Sequence, residues 1–279
     1  MFYSKYEHTR TFGLVNSSTS NVVWSESSRS TGIAVAAANE EVLCWDIKRG
    51  ELLSRWADKD CRSQVTAIAQ SQVDKDIFAV GHENGSIRLW DSKIATLIVS
   101  FNGHRSAITR LVFDNSGTRL ASGSKDTDVI LWDLVAEVGL FKLRGHKDQI
   151  TGLRFLQAEA QEAVDENGEV VVTGFEDSNT SEGFLLTTGK DALIKLWDIA
   201  SRHCIETHTA QSNGECWALG VSPDGAACVT AGNDGELTIW SIDTLGLSEF
   251  SKSSNDVAVR HFLKSRGVLR GQGKDKALE

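Results

Sequence analysis

Proline is nearly absent: Pro223 stands alone among 279 residues, beside 24 glycines. That excludes a proline-rich linker or a collagen-like chain. Long apolar runs are missing too. The longest, Ile33–Ala38, has six residues, against the roughly 20 that a membrane-spanning helix needs. Met1–Arg10 is polar and charged, without the apolar stretch of a secretory leader, so none is expected. The five cysteines (Cys44, Cys61, Cys204, Cys216, Cys228) are odd in number and form no close pairs. This suits free thiols in a reducing compartment. What is present is ordinary for a folded domain: 41% hydrophobic and 24% charged residues.

The net charge of −9 is unevenly placed. Gln157–Gly183 carries eight acids and no Lys or Arg, so nearly all of the excess resides there. Lys252–Glu279 holds seven basic residues against three acids. The chain therefore reads as a near-neutral body with one acidic segment and a mildly basic tail.

A repeat organises the rest. Trp-Asp pairs occur at Trp45-Asp46, Trp90-Asp91, Trp132-Asp133 and Trp197-Asp198, and Trp240-Ser241 follows. The intervals are 45, 42, 65 and 43 residues, and the long one contains the acidic segment. Six residues before each Trp stand Asn39, Asn84, Asp126, Asp191 and Asp234; ten before stand Val35, Val80, Ser122, Thr187 and Thr230. A fixed period of this length marks a stacked array of one supersecondary unit.

One unit translates directly. Ala107–Phe113 is β-branched and alternating, a strand; Asn115-Ser116-Gly117 is a turn; Thr118–Gly123, Val129–Asp133 and Gly139–Leu143 are three further strands. Four antiparallel strands per ~42 residues make one blade of a β-propeller. The recurring polar residues have a structural task. A buried indole must satisfy its N–H, and Ser122 can accept it while His104 and Asp126 complete the chain. His146, Thr187, Asp191 and Trp197 form the same set in the next unit. In the fifth unit Thr230, Asp234 and Trp240 remain, and the histidine is open because His208 lies in a longer loop. In the second unit Cys61, Val80 and Asn84 stand at the three polar positions, so packing is expected to hold the first two blades. Trp56 reads as an outer-strand residue whose truncation should cost less than that of Trp132.

These features resemble the WD40-repeat family over essentially the whole chain. The expected fold is all-β: a WD40 β-propeller of five complete blades around Trp45, Trp90, Trp132, Trp197 and Trp240, plus part of a sixth. Residues 1–279 would form one partial propeller from a seven-bladed ring. Phe262–Glu279 would start the sixth unit, since Gly273-Lys274-Asp275 matches Gly189-Lys190-Asp191, and it would be cut short at 279. Thr11–Val15 is the candidate for an N-terminal strand that completes a last blade. Residues 157–183 form an insertion within the fourth blade, read as a solvated loop or a docking segment for a basic partner.

No catalytic set stands out. Gly183–Lys190 has five residues between its glycines, and Asp191 replaces the Ser/Thr of a phosphate loop. His203-Cys204 with His208 lacks a Cys-x-x-Cys partner for zinc. Recurrence of the His104–Asp126–Ser122 set argues for scaffold over hydrolase. Neither cofactor nor metal is expected, and no membrane or small-molecule substrate. The candidate binding residues are Arg62, Arg105, Lys125, Lys147, Lys190 and Lys274. They fall on one face and would offer RNA phosphates or an acidic partner a partial basic ring.

Two segments carry a narrower resemblance. Tyr3–Trp24 and Gly267–Glu279 look like the N-terminal propeller of the WD repeat protein 3 family, also called Dom34-interacting protein 2, a UtpB subunit of the small-subunit processome. The resemblance implies a non-catalytic nucleolar scaffold in ribosome biogenesis and pre-18S rRNA processing. Its partners would be other UtpB-type WD40 proteins, U3 small nucleolar RNA and pre-rRNA within a ribonucleoprotein. The alternative of another class is a substrate-receptor propeller, as in a ubiquitin ligase.

Overall fold

A computed structural model describes residues 17–27, 30–156, 161–164, 170–173, 183–212, 214–252 and 261–270. Five antiparallel sheets of four strands follow one another. The first contains β1 (Val22–Ser27), β2 (Ser30–Ala38), β3 (Glu41–Asp46) and β4 (Glu51–Trp56). The second contains β5 (Val65–Gln70), β6 (Ile77–His82), β7 (Ser86–Asp91) and β8 (Thr96–Asn102). The third contains β9 (Ile108–Phe113), β10 (Arg119–Ser124), β11 (Val129–Asp133) and β12 (Val138–Leu143). In the fourth, β13 (Ile150–Leu156) is followed by a hairpin of β14 (Gln161–Val164) and β15 (Val170–Thr173), then by β16 (Phe184–Gly189), β17 (Leu193–Asp198) and β18 (His203–Thr209). The fifth contains β19 (Cys216–Val221), β20 (Ala227–Gly232), β21 (Glu236–Ile242) and, after helix α1 (Thr244–Lys252), β22 (Leu263–Arg270).

Two expectations change here. Leu263–Arg270 does not open a sixth unit. As β22 it pairs with β21 and closes the fifth sheet as its fourth strand, from Leu263 against Ile242 to Arg270 against Glu236. The Gly273-Lys274-Asp275 match and Thr11–Val15 lie outside the described residues. The insertion does leave the fourth blade between its first and second strands, but its described residues form a hairpin rather than a plain loop, with Gln161 opposite Thr173 and Val164 opposite Val170.

The core lies between the sheets. Four buried clusters correspond to the four junctions: Val35, Trp56, Phe78 and Trp90 between blades one and two; Phe101, Ile108, Leu120 and Trp132 between two and three; Leu143, Ile150, Leu185 and Trp197 between three and four; Leu196, Cys216, Cys228 and Trp240 between four and five. A four-stranded sheet has two apolar faces, and stacking buries both. Among the described residues no strand joins the fifth blade to the first. On that open side Leu237 is 40% exposed, whereas Ile194, its equivalent in blade four, is fully buried.

The Trp-Asp pair divides its labour. The indole enters the junction with the preceding blade, where it meets the last apolar residue of that blade's outer strand. Trp90 stacks on Trp56 with ring centroids 6.2 Å apart, and Trp132 lies 5.0 Å from Phe101. Trp56 is on an outer strand, as the sequence suggests, yet only 1% exposed, so its truncation is now expected to cost about as much as that of Trp132. The aspartate ties down the following turn: Oδ1 of Asp46, Asp91, Asp133 and Asp198 accepts the amide of Arg49, Lys93, Val135 and Ala200 at 2.8–3.1 Å. Ser241 takes the aspartate position in blade five, and there α1 replaces the tight turn, with Asp243 capping Gly246 at 3.0 Å.

Every outer strand also carries a β-bulge at one place, opposite the Trp. Trp45 pairs with Leu52 and Cys44 with Ser54, which leaves Leu53 as the extra residue; Ile98, Leu140, Ile205 and Arg266 hold the same position in β8, β12, β18 and β22. The extra residue bends the edge and increases its twist.

Candidate functional site

In blades three and four the loop into the first strand and the turn between the second and third strands lie together on one face, joined by the polar tetrad. In blade three His104 Nδ1 meets Asp126 Oδ2 at 3.0 Å, His104 Nε2 meets Ser122 Oγ at 2.8 Å, and Trp132 Nε1 donates to Ser122 Oγ at 2.8 Å. Blade four repeats this: His146 to Asp191 at 3.0 Å, His146 to Thr187 at 2.8 Å, Trp197 to Thr187 at 2.9 Å. The carboxylate places the imidazole proton on Nδ1, so Nε2 accepts the hydroxyl proton and the chain runs in one direction. The aspartates also accept the amides of Arg105 and Lys147, both at 2.8 Å. They hold the incoming loop against the turn. Ser122 and Thr187 are fully buried, so neither hydroxyl is open to a substrate and both belong to the scaffold.

The other blades improvise. In blade five Trp240 Nε1 still donates to Thr230 Oγ1 at 3.1 Å. His208 is not the missing imidazole. It ends the outer strand of blade four and lies 5.7 Å from the Trp240 ring, the place that Trp56 and Phe101 fill elsewhere. Buried Gln211 packs beside Gly232 instead, as His146 does beside Gly189. Blade two is not held by packing alone. Asn84 Nδ2 approaches Cys61 Sγ at 4.0 Å, Ser86 donates to Asn84 at 2.7 Å, and buried Arg88 joins Ser86 at 2.8 Å and Asp58 at 2.5 Å. Sequence reasoning missed this network because Asp58 and Arg88 sit off the repeating positions. Their opposite charges on a loop and a central strand were the available signal.

The turn in blade three stores strain. Thr127 adopts φ 71°, a left-handed conformation that costs a β-branched residue about 1–2 kcal/mol. Gly85 and Gly235 hold the equivalent place in blades two and five. Thr127→Gly is expected to raise stability by about 1 kcal/mol, read as a higher denaturant midpoint with unchanged slope.

Burial holds the imidazoles of His104 and His82 below their ordinary pKa, against the pull of Asp126 on the first and of the Ser63 carbonyl on the second. For Asp126 burial pushes the carboxyl up, but the Arg105 amide and the His104 charge together bring it below the carboxylate range; Asp191 behaves alike through His146 and the Lys147 amide. All four groups bind fewer protons folded than unfolded, so their contribution is complete at neutral pH and lost on acidification. The histidine part goes as pH falls below about 6.5, and the aspartate part below about 4. Thermal unfolding between about pH 7.5 and 2.5 should show two successive drops in Tm, one on each side of about pH 4.5, and a flat profile from about 7.5 to 5.5 would contradict the histidine assignment. Three buried thiols are quiet: burial raises Cys44 and Cys216 to about 11 and Cys228 to about 12.

The basic residues on the tetrad face do not make an even ring. Arg105, Lys125 and Lys147 are exposed, in blades three and four. Lys190 is half-buried and engaged, 3.2 Å from Glu215 and 5.3 Å above the Trp217 ring. Arg62 lines a cavity of about 620 Å³ together with Glu40 and Glu83, so acids offset it. Lys274 lies outside the described residues. The exposed basic residues of this face thus lie over blades three and four, beside Asp128 and Asp148.

A family model described as the WDR3 first beta-propeller domain matches residues 32–242. U3 small nucleolar RNA-associated protein 12 of Saccharomyces cerevisiae is 40% identical over 237 residues, which cover 80% of this chain and 22% of that protein. The WD repeat-containing protein 3 homolog of Dictyostelium discoideum is 35% identical over 106 residues, 38% of this chain and 11% of its own length. The chain thus spans about a fifth of its yeast relative. Among solved structures, U3-55K aligns with TM-score 0.64 at 21% identity, over 84% of this chain and 63% of that one; the RRP9 WD40 repeats align at 0.65 and 20%, over 82% and 61%. At such identity these two likenesses speak for the fold.

Proposed function

The chain belongs to the WDR3 first β-propeller family, and from this we infer that it serves as a non-catalytic scaffold of ribosome biogenesis within a U3 ribonucleoprotein. The observation that carries this reading is the 40% identity to a protein named for its association with U3 small nucleolar RNA. The tetrad geometry supports it: the polar residues that could suggest chemistry are consumed in holding blades rigid. A rigid array offers two faces and a rim at fixed angles, and several modest contacts within one particle reinforce each other through effective concentration. In this reading the protein works in the nucleolus beside other UtpB-type WD40 proteins, U3 RNA and pre-rRNA. Arg105, Lys125, Lys147 and Lys190 form the side facing RNA or an acidic partner, with Arg62 and Lys274 as further contacts.

Affinity purification of the tagged full-length protein tests this. Recovery of U3 RNA and pre-18S precursors is expected, and charge reversal at Arg105, Lys125 and Lys147 should reduce it while leaving thermal stability intact. Recovery of a cullin adaptor without U3 RNA would overturn the reading in favour of a substrate receptor.

A further inference from the structure

The first strands of blades two to five line a central channel, and one position recurs along it. Thr66, Thr109 and Thr151 each follow the buried residue that pairs with the end of the second strand, and Trp217 stands at this position in blade five. The threonines are satisfied within the scaffold: Thr66 donates to the Gly81 carbonyl at 3.3 Å, Thr109 to those of Gly123 at 3.0 Å and Ile150 at 2.6 Å, and Thr151 meets Thr188 at 3.3 Å. The tryptophan breaks this pattern. It is not one of the periodic indoles, it is 39% exposed, and it enters no buried cluster. Its ring lines a cavity of about 400 Å³ at the channel mouth, shared with Arg110, Lys125, Gln64 and Gln149. Lys190 lies over the ring at 5.3 Å and is fixed by Glu215 at 3.2 Å, which sets the indole's orientation from one side.

We propose that this mouth is a nucleotide site, in which one base of a single-stranded RNA stacks on Trp217 while its flanking phosphates meet Lys125 and the Nη2 of Arg110, whose Nε and Nη1 are held by the Thr151 and Thr109 carbonyls. The proposal rests on the ribonucleoprotein reading above and names where that contact occurs. The argument is chemical. An exposed flat ring in a mouth of mixed polar and apolar lining, with Lys125 and Arg110 beside it, suits a ligand that joins a planar group and an anion in one unit. A nucleotide does so at every residue, and base–aromatic stacking tolerates any sequence. An acidic peptide would use the cations but has no recurring planar group for the indole. Glu83 on the channel wall also disfavours a purely acidic ligand, whereas a base can pass it.

The test uses the full-length protein with a short labelled oligouridine. Trp217→Ala should weaken binding about tenfold, since stacking contributes about that much per base, and Trp217→Phe should retain most of the affinity. Lys125→Glu should weaken binding and flatten its dependence on salt. Ultraviolet cross-linking of the unmodified protein should leave a nucleotide adduct on the Trp217 peptide, a readout independent of whether any variant folds. Unchanged affinity in a folded Trp217→Ala protein, or an adduct confined to other peptides, would overturn the proposal. So would displacement of the RNA by an aspartate- and tyrosine-containing peptide whose own affinity falls in Trp217→Ala; that outcome assigns the mouth to a protein. Failure of the site leaves U3 recovery from cells intact, whereas failure of the scaffold reading abolishes that recovery whatever oligouridine does in vitro.

Discussion

Trp132→Ala and Trp56→Ala should each cost about 3–5 kcal/mol and differ little from one another. Both indoles are buried, Trp132 at 3% and Trp56 at 1% exposure. Each truncation leaves a large void between two sheets, since a tilted or stacked aromatic partner loses its contact at once: Phe101 in one case, Phe78 and Trp90 in the other. The hydrogen-bonding losses differ. Trp132 takes with it a bond to a buried hydroxyl, whereas Trp56 Nε1 donates to Ser54 at 3.1 Å, so the comparison weighs volume against polarity. Denaturant unfolding of the two variants decides it. A Trp56→Ala protein within about 1 kcal/mol of the parent would mean that the junction between blades one and two contributes less than a packed core does.

Ser122→Ala carries the second large effect, about 2–4 kcal/mol for the loss of a single oxygen atom. The hydroxyl satisfies Trp132 Nε1 and His104 Nε2, both at 2.8 Å, within a fully buried site. Removing it strands two polar groups, each worth about 1–3 kcal/mol of desolvation. The double variant His104→Ala, Ser122→Ala should cost less than the sum of the singles, because one orphan disappears with its partner. Additivity in that cycle would show that the tetrad is four separate contacts rather than one network. Blade two makes the same point in reverse. Val80 stands where Ser122 does, fully enclosed, and the polar work there has moved to Arg88 and Asp58.

The period of the tryptophans, the strands of each unit and the tetrads of blades three and four are legible in the sequence, because each follows from local alternation and fixed spacing. What escaped is what the third dimension decides. Trp56 ends an outer strand by position but fills a junction by packing. His208 has a histidine's chemistry and a phenylalanine's place. Leu263–Arg270 resembles the opening of a unit, yet β21 needs a fourth strand and α1 spaces the chain so that this segment supplies it. Trp217 lies off the repeat, and its setting comes from the channel. The basic residues were found by equivalence, but the acids beside Arg62 come from the turns of blades one and two, which the spacing alone does not bring near.

The bulge repeated opposite each junction tryptophan bears on crowding. A sheet edge with a straight row of free amides and carbonyls invites a stray strand from a neighbour. Here five edges in succession are kinked at one height, so a foreign strand can follow each for only a few residues before its register is lost. Many such discs can then lie side by side at high local concentration and still touch through chosen side chains, without zipping into continuous fibres.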